Sequence, residues 1–272
     1  MIKLAVLMLV YKNDKLRFVK ASLESIQNQT FQDFHLYIQK DGYVSEDVDH
    51  YLNNQFLSKK IFSLGSREES MGIAFSRNEV LKRAVKENYD YYALMDADDI
   101  AFEKRLESQI KFLENNTEVD VCGCHIEEFG DGISYNKIVR YPLKHKEMFE
   151  LFKYRVPIAN VTAMFRKSFF DKSGYYPLKG HINNEDTLMW LQGYENNCIF
   201  ANVNMIGVKV RVSKSFFRRR TNFKKVISDF RNRIIINRSL RYGFSSYILA
   251  VGMLLVNISP FRIKKILYKF LR

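Results

Sequence analysis

Cysteine is scarce in this chain. Three residues, Cys122, Cys124 and Cys198, an odd number without secretory context, argue against a disulfide framework and fit a reducing compartment, with the cytoplasm as the default. Zinc-type spacing is also missing. Cys122-Gly123-Cys124-His125 has no second ligand pair, and in a strand both thiols would point the same way, into the core. The five histidines are scattered and suggest no triad, and neither a G-x-S-x-G elbow nor a phosphate-binding P-loop is present. No internal repeat or low-complexity stretch occurs. The apolar opening Ile2 to Val10 carries Lys3, runs into Tyr11-Lys12-Asn13-Asp14 and lacks a small-residue cleavage site, so it reads as a buried strand and not a signal peptide.

Acid is nearly absent from one end. Residues 213–272 hold fifteen Lys and Arg against the single Asp229, whereas the rest of the chain has 28 basic and 29 acidic side chains. The formal net charge of +13 is therefore local and belongs to a C-terminal appendage. With 272 residues, 47% of them hydrophobic, the chain can bury a substantial core. The organisation expected is a catalytic body over 1–212 and a basic, partly apolar helical tail over 213–272.

Short apolar runs alternate with helical patterns through the first half, the signature of an α/β architecture with a mainly parallel sheet. Leu4 to Val10 reads as a strand, and Leu16, Val19, Leu23 and Ile26 mark a helix over 14–28. His35 to Ile38 is a second strand ending at Asp41-Gly42, and Lys59 to Leu64 a third. A helix carrying Val80, Leu81, Ala84 and Val85 follows Met71-Gly72, and then comes the strand Asp90 to Met95. Arg105, Leu106, Gln109, Ile110 and Leu113 mark another helix, and Val119 to Phe129 a long extended segment. Beyond Lys137 the pattern loosens, with a strand expected at Val161 to Phe165, a turn at Gly174-Tyr175-Tyr176-Pro177 and a helix from Glu185.

The strand ending at Met95 runs directly into Asp96-Ala97-Asp98-Asp99, and ligands of open α/β sheets gather at the carboxyl ends of strands. Three carboxylates in four positions repel one another and call for a compensating cation. Mg²⁺ or Mn²⁺ suits oxygen ligands shared with a substrate phosphate, and neutralises charge that develops on a diphosphate leaving group. Taken alone, the same residues also read as a solvated turn that caps the next helix.

Across nearly its whole length the chain resembles the family 2 glycosyltransferases, particularly bacterial enzymes of O-antigen, capsule and exopolysaccharide assembly. Leu9-Val10-Tyr11 and Leu23-Glu24-Ser25-Ile26-Gln27-Asn28-Gln29-Thr30 are similar to the family's first strand and helix. Asp41-Gly42 resembles its acidic turn at the nucleotide base, and Met71-Gly72-Ile73-Ala74-Phe75-Ser76-Arg77-Asn78 its glycine, arginine and asparagine segment. That likeness implies Gly72, Arg77 and Asn78 beside the nucleotide. Asp96-Ala97-Asp98-Asp99 resembles the family's D-x-D, which implies Asp96 near the ribose and Asp98 on the metal, with Asp96 and Asp99 at the same site. The implied fold is the GT-A type, a Rossmann-like nucleotide-binding sheet with flanking helices.

Glu185-Asp186 opens a helical pattern, where acids are favoured by the helix dipole alone. The chemistry nevertheless needs a base to take a proton from an attacking sugar hydroxyl. The pair resembles the family's E-D motif, which implies Asp186 as base and Glu185 as its partner. Relatives often carry Asn-His where this chain has Ala159-Asn160, and no role is assigned there. Val210-Arg211-Val212 with Arg218-Arg219-Arg220 resembles a distal basic motif; Arg219 and Arg220 are candidates to grip the diphosphate, with membrane or solvent contact as the alternative. Trp190 and Tyr194 suit either sugar stacking or the core.

Residues 242–261 carry no formal charge, but the strongly apolar part, Tyr247 to Val256, spans only about 15 Å of a hydrocarbon layer roughly 30 Å thick. Basic flanks on both sides favour an in-plane or shallow re-entrant segment over a spanning helix. The expectation is a metal-dependent, inverting transferase, attached peripherally to the inner face of a plasma membrane. Its partners would be a nucleotide-sugar donor, most simply a UDP-sugar, a saccharide or lipid-linked acceptor, and anionic lipid. A D-x-D phosphotransferase is disfavoured by Asp99, which stands where that class has Thr or Val. A nucleic-acid-binding protein is disfavoured because the tail is apolar as well as basic and shows no recognition motif.

Overall fold

The computed structural model describes residues 3–130, 136–178, 184–213 and 223–258. Nine strands form one curled, mixed sheet: β1 (Leu4–Tyr11), β2 (Phe34–Asp41), β3 (Ser63–Gly65), β4 (Tyr91–Asp96), β5 (Ile100–Ala101), β6 (Val121–Phe129), β7 (Lys137–Val139), β8 (Met164–Arg166) and β9 (Phe200–Arg211). The flanking helices are α1 (Leu16–Gln27), α2 (Glu46–Leu57), α3 (Ile73–Val85), α4 (Arg105–Asn115), α5 (His145–Phe152), α6 (Lys167–Ser173) and α7 (Glu185–Glu195). Two more, α8 (Phe223–Ser239) and α9 (Phe244–Ile258), follow the sheet.

Strand order is β3-β2-β1-β4-β8-β6-β9-β5, with β7 on the side of β6. β1 pairs parallel with both β2 and β4, so sheet growth reverses at β1. Such a switch point opens a crevice at the carboxyl ends of the strands. β1 is apolar almost throughout because both its faces are covered. Leu4, Val6, Met8 and Val10 join one core with α1, α2 and α4, while Ala5 and Leu7 join a second with α3, α6 and α7. At about 1.5–3 kcal/mol for each fully buried aliphatic side chain, these two layers fix the strand register.

Several boundaries differ from those expected. The Asp14 carboxylate accepts the Tyr11 N–H at 2.9 Å and closes a turn, so α1 begins at Leu16. The third strand is only Ser63–Gly65, because exposed Lys59, with φ of 60°, and Lys60 form the exit turn of α2. Val161–Phe165 is not one strand. Thr162 Oγ1 donates to the Ala159 carbonyl at 2.8 Å, which bends Asn160–Thr162 into a 3₁₀ turn ahead of β8.

The first C-terminal helix is packed into the body. Ile236 of α8 and the following Tyr242 sit in the second core, Tyr242 Oη donates to the Phe149 carbonyl at 2.5 Å, and Arg233 donates to the carbonyl of Phe152. α9 differs in that Phe244, Ile248, Leu249, Val251, Leu255 and Ile258 stand exposed. Among the described residues no helix is long and apolar enough to cross a membrane.

Candidate active site

The register of three adjacent strands brings the predicted acids together. Asp41, at the end of β2, lies opposite Tyr11 of β1, and Asp96, at the end of β4, lies opposite Leu9. Two glycines with positive φ, Gly42 at 77° and Gly72 at 90°, allow the chain to turn close to these strand ends. The Asp41 carboxylate is held by Ser70 Oγ at 2.9 Å and the Met71 N–H at 3.1 Å, with Arg67 Nη1 at 3.9 Å. It thereby fixes the segment that leads into α3, at whose start Gly72 stands.

Arg77 is the hub of the site. The residue is 5% exposed, and its guanidinium donates to Asp96 Oδ1 at 2.9 Å and lies 5.9 Å from the Tyr176 ring centroid. Burial alone would lower its pKa, but Tyr176, Asp96 and Glu185 outweigh burial and raise it, so the group is a permanent cation. Asn78, one residue on, holds both backbone groups of Tyr176, donating to its carbonyl at 2.8 Å and accepting its N–H at 2.9 Å. It therefore acts on the site through Tyr176.

Tyr176 links the two acidic pairs. Its hydroxyl is buried without a partner among the described residues, and its pKa is raised first by burial and then by Asp186, Glu185 and Asp96, with Arg77 opposing. Glu185 and Asp186, in the first turn of α7, and Asp96, at the end of β4, thus all act electrostatically on the one Tyr176 hydroxyl. Burial and the adjacent Asp186 raise the Glu185 pKa, against the pull of Arg77 and Lys225. Asp186 Oδ1 accepts the Thr187 N–H at 2.7 Å, which leaves its second oxygen for other partners.

The turn after β4 is braced from several sides. Ser22 Oγ donates to the Asp96 carbonyl at 2.9 Å, and Ser25 Oγ accepts the Ala101 N–H at 3.0 Å. Asp99, 3% exposed, accepts the Arg211 N–H at 2.7 Å, and Arg211 Nε donates to the Asp98 carbonyl at 2.9 Å. The Arg211 guanidinium lies between the rings of Phe18 and Phe129, at 3.8 and 4.5 Å. Burial, then Asp98 and Asp96, hold the Asp99 carboxyl well above its usual range.

Asp14 faces the same acids. Burial, reinforced by Asp98 and Asp96 and opposed by the Tyr11 N–H, pushes its carboxyl up to about 7. Four carboxyl groups, Asp14, Asp96, Asp98 and Asp99, thus crowd one strand edge. Such a set of hard oxygen donors fits a divalent cation such as Mg²⁺ or Mn²⁺. Among the described residues no group of three or more His, Cys, Asp or Glu side chains is arranged to enclose an ion by itself.

Residues 5–174 match the sequence profile described as Glycosyl transferase family 2. The chain belongs to this family. The transferase is 25% identical over 270 residues to a UDP-Gal:alpha-D-GlcNAc-diphosphoundecaprenol beta-1,3-galactosyltransferase of Escherichia coli, covering 98% of this chain and 95% of the relative. Its fold matches S. aureus TarS residues 1–349 in complex with UDP-GlcNAc, with a TM-score of 0.62, 15% identity, and coverage of 96% of this chain and 83% of that one. A mannosyltransferase from Pyrobaculum calidifontis, PcManGT, in complex with GDP-Man and Mn2+, gives a TM-score of 0.62 at 12% identity and covers 98% of this chain and 78% of that one. These neighbours show the GT-A architecture of the transferase.

Of the residues singled out from sequence, Asp41, Gly72, Arg77, Asn78, Asp96, Asp98 and Asp99 cluster around the strand ends, with Glu185 and Asp186 across Tyr176. Arg219 and Arg220 lie outside the described residues. Trp190 and Tyr194 are core residues of the transferase, stacked on Phe165 and Phe200. Cys122 and Cys124 are buried as expected, with burial raising both thiol pKa values. Asp14 carried no expectation at the site, while Arg105 read only as a helix residue, Tyr176 as part of a turn and a weak candidate for sugar stacking, and Arg211 as part of a basic motif. Arg105, fully buried in α4, donates to the Leu94 carbonyl at 2.7 Å behind the acidic turn, where burial lowers its pKa and Asp96 and Asp99 counteract it.

Proposed function

We propose that this transferase moves a sugar from a UDP-sugar to a saccharide acceptor carried on a lipid diphosphate, with inversion at the anomeric carbon, in the assembly of a cell-surface glycan. The observation that carries the reading is the Arg77–Tyr176 hub. It joins the strand-end acids, suited to a donor diphosphate, to Glu185 and Asp186, suited to an acceptor hydroxyl.

Asp98, with Asp96 beside it, would hold a divalent ion, which when bound supplies positive charge to the diphosphate leaving group. Asp186 accepts the proton of the attacking hydroxyl as that oxygen bonds to the anomeric carbon, from the face opposite the departing nucleotide. Burial and then Asp186 raise the Glu185 pKa, which disfavours a second negative charge beside that base. Arg77 orients Asp96, Asp41 holds the wall against which the base would lie, and Gly72 leaves room for the nucleotide. Arg219 and Arg220 are kept as diphosphate contacts.

What supports UDP is the printed donor of the Escherichia coli relative, and what supports the metal is the Mn2+ of the mannosyltransferase neighbour. Attachment to anionic membrane is supported by the exposed apolar face of α9 beside exposed Arg231, Arg238 and Arg241. Such attachment would place the site at the inner face of a plasma membrane. The test is thermal unfolding with a panel of UDP-, GDP- and dTDP-sugars, each with and without Mn²⁺ or Mg²⁺. A bound donor raises the melting temperature by mass action. Metal-dependent protection by one UDP-sugar is the expected result, and no protection by any member would refute the reading.

A further inference from the structure

Arg105 opens α4 and is completely buried. Its guanidinium has only neutral partners among the described residues. Nε donates to Gln109 Oε1 at 3.1 Å, Nη2 to the Leu94 carbonyl at 2.7 Å, and Nη1 to Met95 Sδ at 3.4 Å. No carboxylate forms an ion pair with it among those residues. Arginine does not give up its proton in a protein, so a full positive charge is enclosed here, and an enclosed charge without a counter-ion opposes folding strongly.

Bridging between α4 and the sheet does not explain the charge. Gln109, one turn further along α4, ties the helix to the neighbouring chain with an uncharged amide, which donates to the Thr162 carbonyl at 2.8 Å. A neutral side chain could serve the Leu94 carbonyl in the same way. Burial is the main influence on the Arg105 pKa, lowering it, and the groups that counteract it are Cys124, Cys122, Asp96 and Asp99. The thiols supply no anion, because burial raises the pKa of each. What remains is the acidic turn. Leu94 and Met95, which the guanidinium touches, are the two residues that precede Asp96. The Asp96 side chain is 39% exposed on the cleft side, whereas Arg105 lies on the enclosed side. An ion that enters from the cleft therefore meets acids already backed by a fixed cation.

We propose that Arg105 is a positioning residue of the donor site, a permanent counter-charge behind the acidic turn that limits how tightly Asp96 and Asp98 hold a divalent ion. The limit matters after transfer, because an ion held too firmly would retain the nucleoside diphosphate whose oxygens complete its coordination. With Arg105 in place the acids stay compensated when the ion leaves with the nucleotide, and the turn keeps its shape for the next donor. The inference rests on the reading of Asp96 and Asp98 as the ion's ligands. A unit charge fixed behind those ligands weakens divalent binding by about tenfold at the effective dielectric of a protein interior.

The experiment is titration of the full chain with Mn²⁺ at pH 8, with and without UDP, followed by the electron paramagnetic resonance signal of the free ion. It is repeated on Arg105→Met, Arg105→Gln, Arg105→Lys and Asp98→Ala. Both neutral variants should bind Mn²⁺ about tenfold more tightly than the parent, and Arg105→Lys, which returns the charge without the planar fork, should restore the parent affinity. A merely structural Arg105 predicts the opposite sign, since a loosened turn would hold the ion less well in every variant, Lys included. Neutral variants that bind Mn²⁺ no more tightly than the parent would overturn the proposal. So would Arg105→Lys binding like Arg105→Met, or failure of both neutral variants to fold, which would make the charge a condition of the fold. Asp98→Ala keeps the two readings apart. If the parent binds Mn²⁺ and Asp98→Ala does not, the ligand assignment stands whatever Arg105 does, whereas a parent that binds no Mn²⁺ sinks the assignment and the proposal with it.

Discussion

Asp14→Asn offers a direct measurement of what burial, and after it the neighbouring acids, cost the Asp14 carboxylate. The folded carboxyl, raised from 3.8 to about 7 by burial and then by Asp98 and Asp96, keeps its proton where the unfolded chain has released it. A raised carboxyl destabilises the fold as pH rises from the unfolded value to the folded one, and the penalty is complete above about 7. At about 1.4 kcal/mol for each pH unit, the full penalty is about 4 kcal/mol, of which about 2.5 kcal/mol develops between pH 5 and pH 8. Asn keeps an oxygen for the Tyr11 N–H and cannot ionise. Urea unfolding in EDTA, followed at pH 5, 6, 7 and 8, should therefore show the variant gaining on the parent as pH rises, with the gain levelling off above pH 7. Added Mn²⁺ should shrink the difference at pH 8, because a cation between the acids removes much of the repulsion. A stability difference that is constant across this range would refute the account of Asp14.

Other substitutions address the remaining parts. Asp186→Asn should lower the transfer rate by about 10²- to 10⁴-fold and leave UDP-sugar protection against unfolding intact, as loss of a general base does; undiminished turnover would exclude that role. Asp98→Ala should abolish the extra protection that Mn²⁺ confers on a UDP-sugar complex, read by differential scanning fluorimetry, and persistence of that increment would move the metal elsewhere. Gly207→Ala would place a Cβ 2.1 Å from Cys124 Sγ. It should cost about 1–3 kcal/mol, recovered in part by adding Cys124→Ala, in chemical denaturation. Leu255→Asp with Ile248→Asp should reduce co-sedimentation with anionic vesicles without lowering the melting temperature, since both side chains are exposed; unchanged sedimentation would exclude α9 as the contact.

The strand-end acids were legible because an apolar run that stops abruptly at charged residues marks a strand leaving the core, and β1, β2 and β4 all do so. Arg77 and Asn78 were legible as a motif, but their separate duties were not. One pairs with Asp96 and the other grips the backbone of Tyr176, nearly a hundred residues away. Asp14 is a single polar residue in a loop, and only the parallel pairing of β1 with β4 brings it beside Asp96 and Asp98. Arg105 has the spacing of an ordinary helix residue, and nothing local signals that it is fully buried behind the acidic turn. Arg211 reaches Asp98 and Asp99 because β9 pairs antiparallel with β5, the short strand that follows the acidic turn, a contact between residues more than a hundred positions apart. The short helices α5 and α6 escaped prediction because their buried contacts lie in the second core, not in local periodicity.

The seating of α8 has a geometric consequence. Arg233 in the helix and Tyr242 just beyond it donate to carbonyl groups of α5, so α9 hangs from the globule by packed side chains and not by a slack tether. Whatever surface the outer face of α9 meets is then set at a nearly constant height and tilt below the first turn of α7. A carrier anchored in such a surface would be gauged by that height, and the reactive hydroxyl that reaches Asp186 would be selected by its distance from the anchor as well as by its stereochemistry.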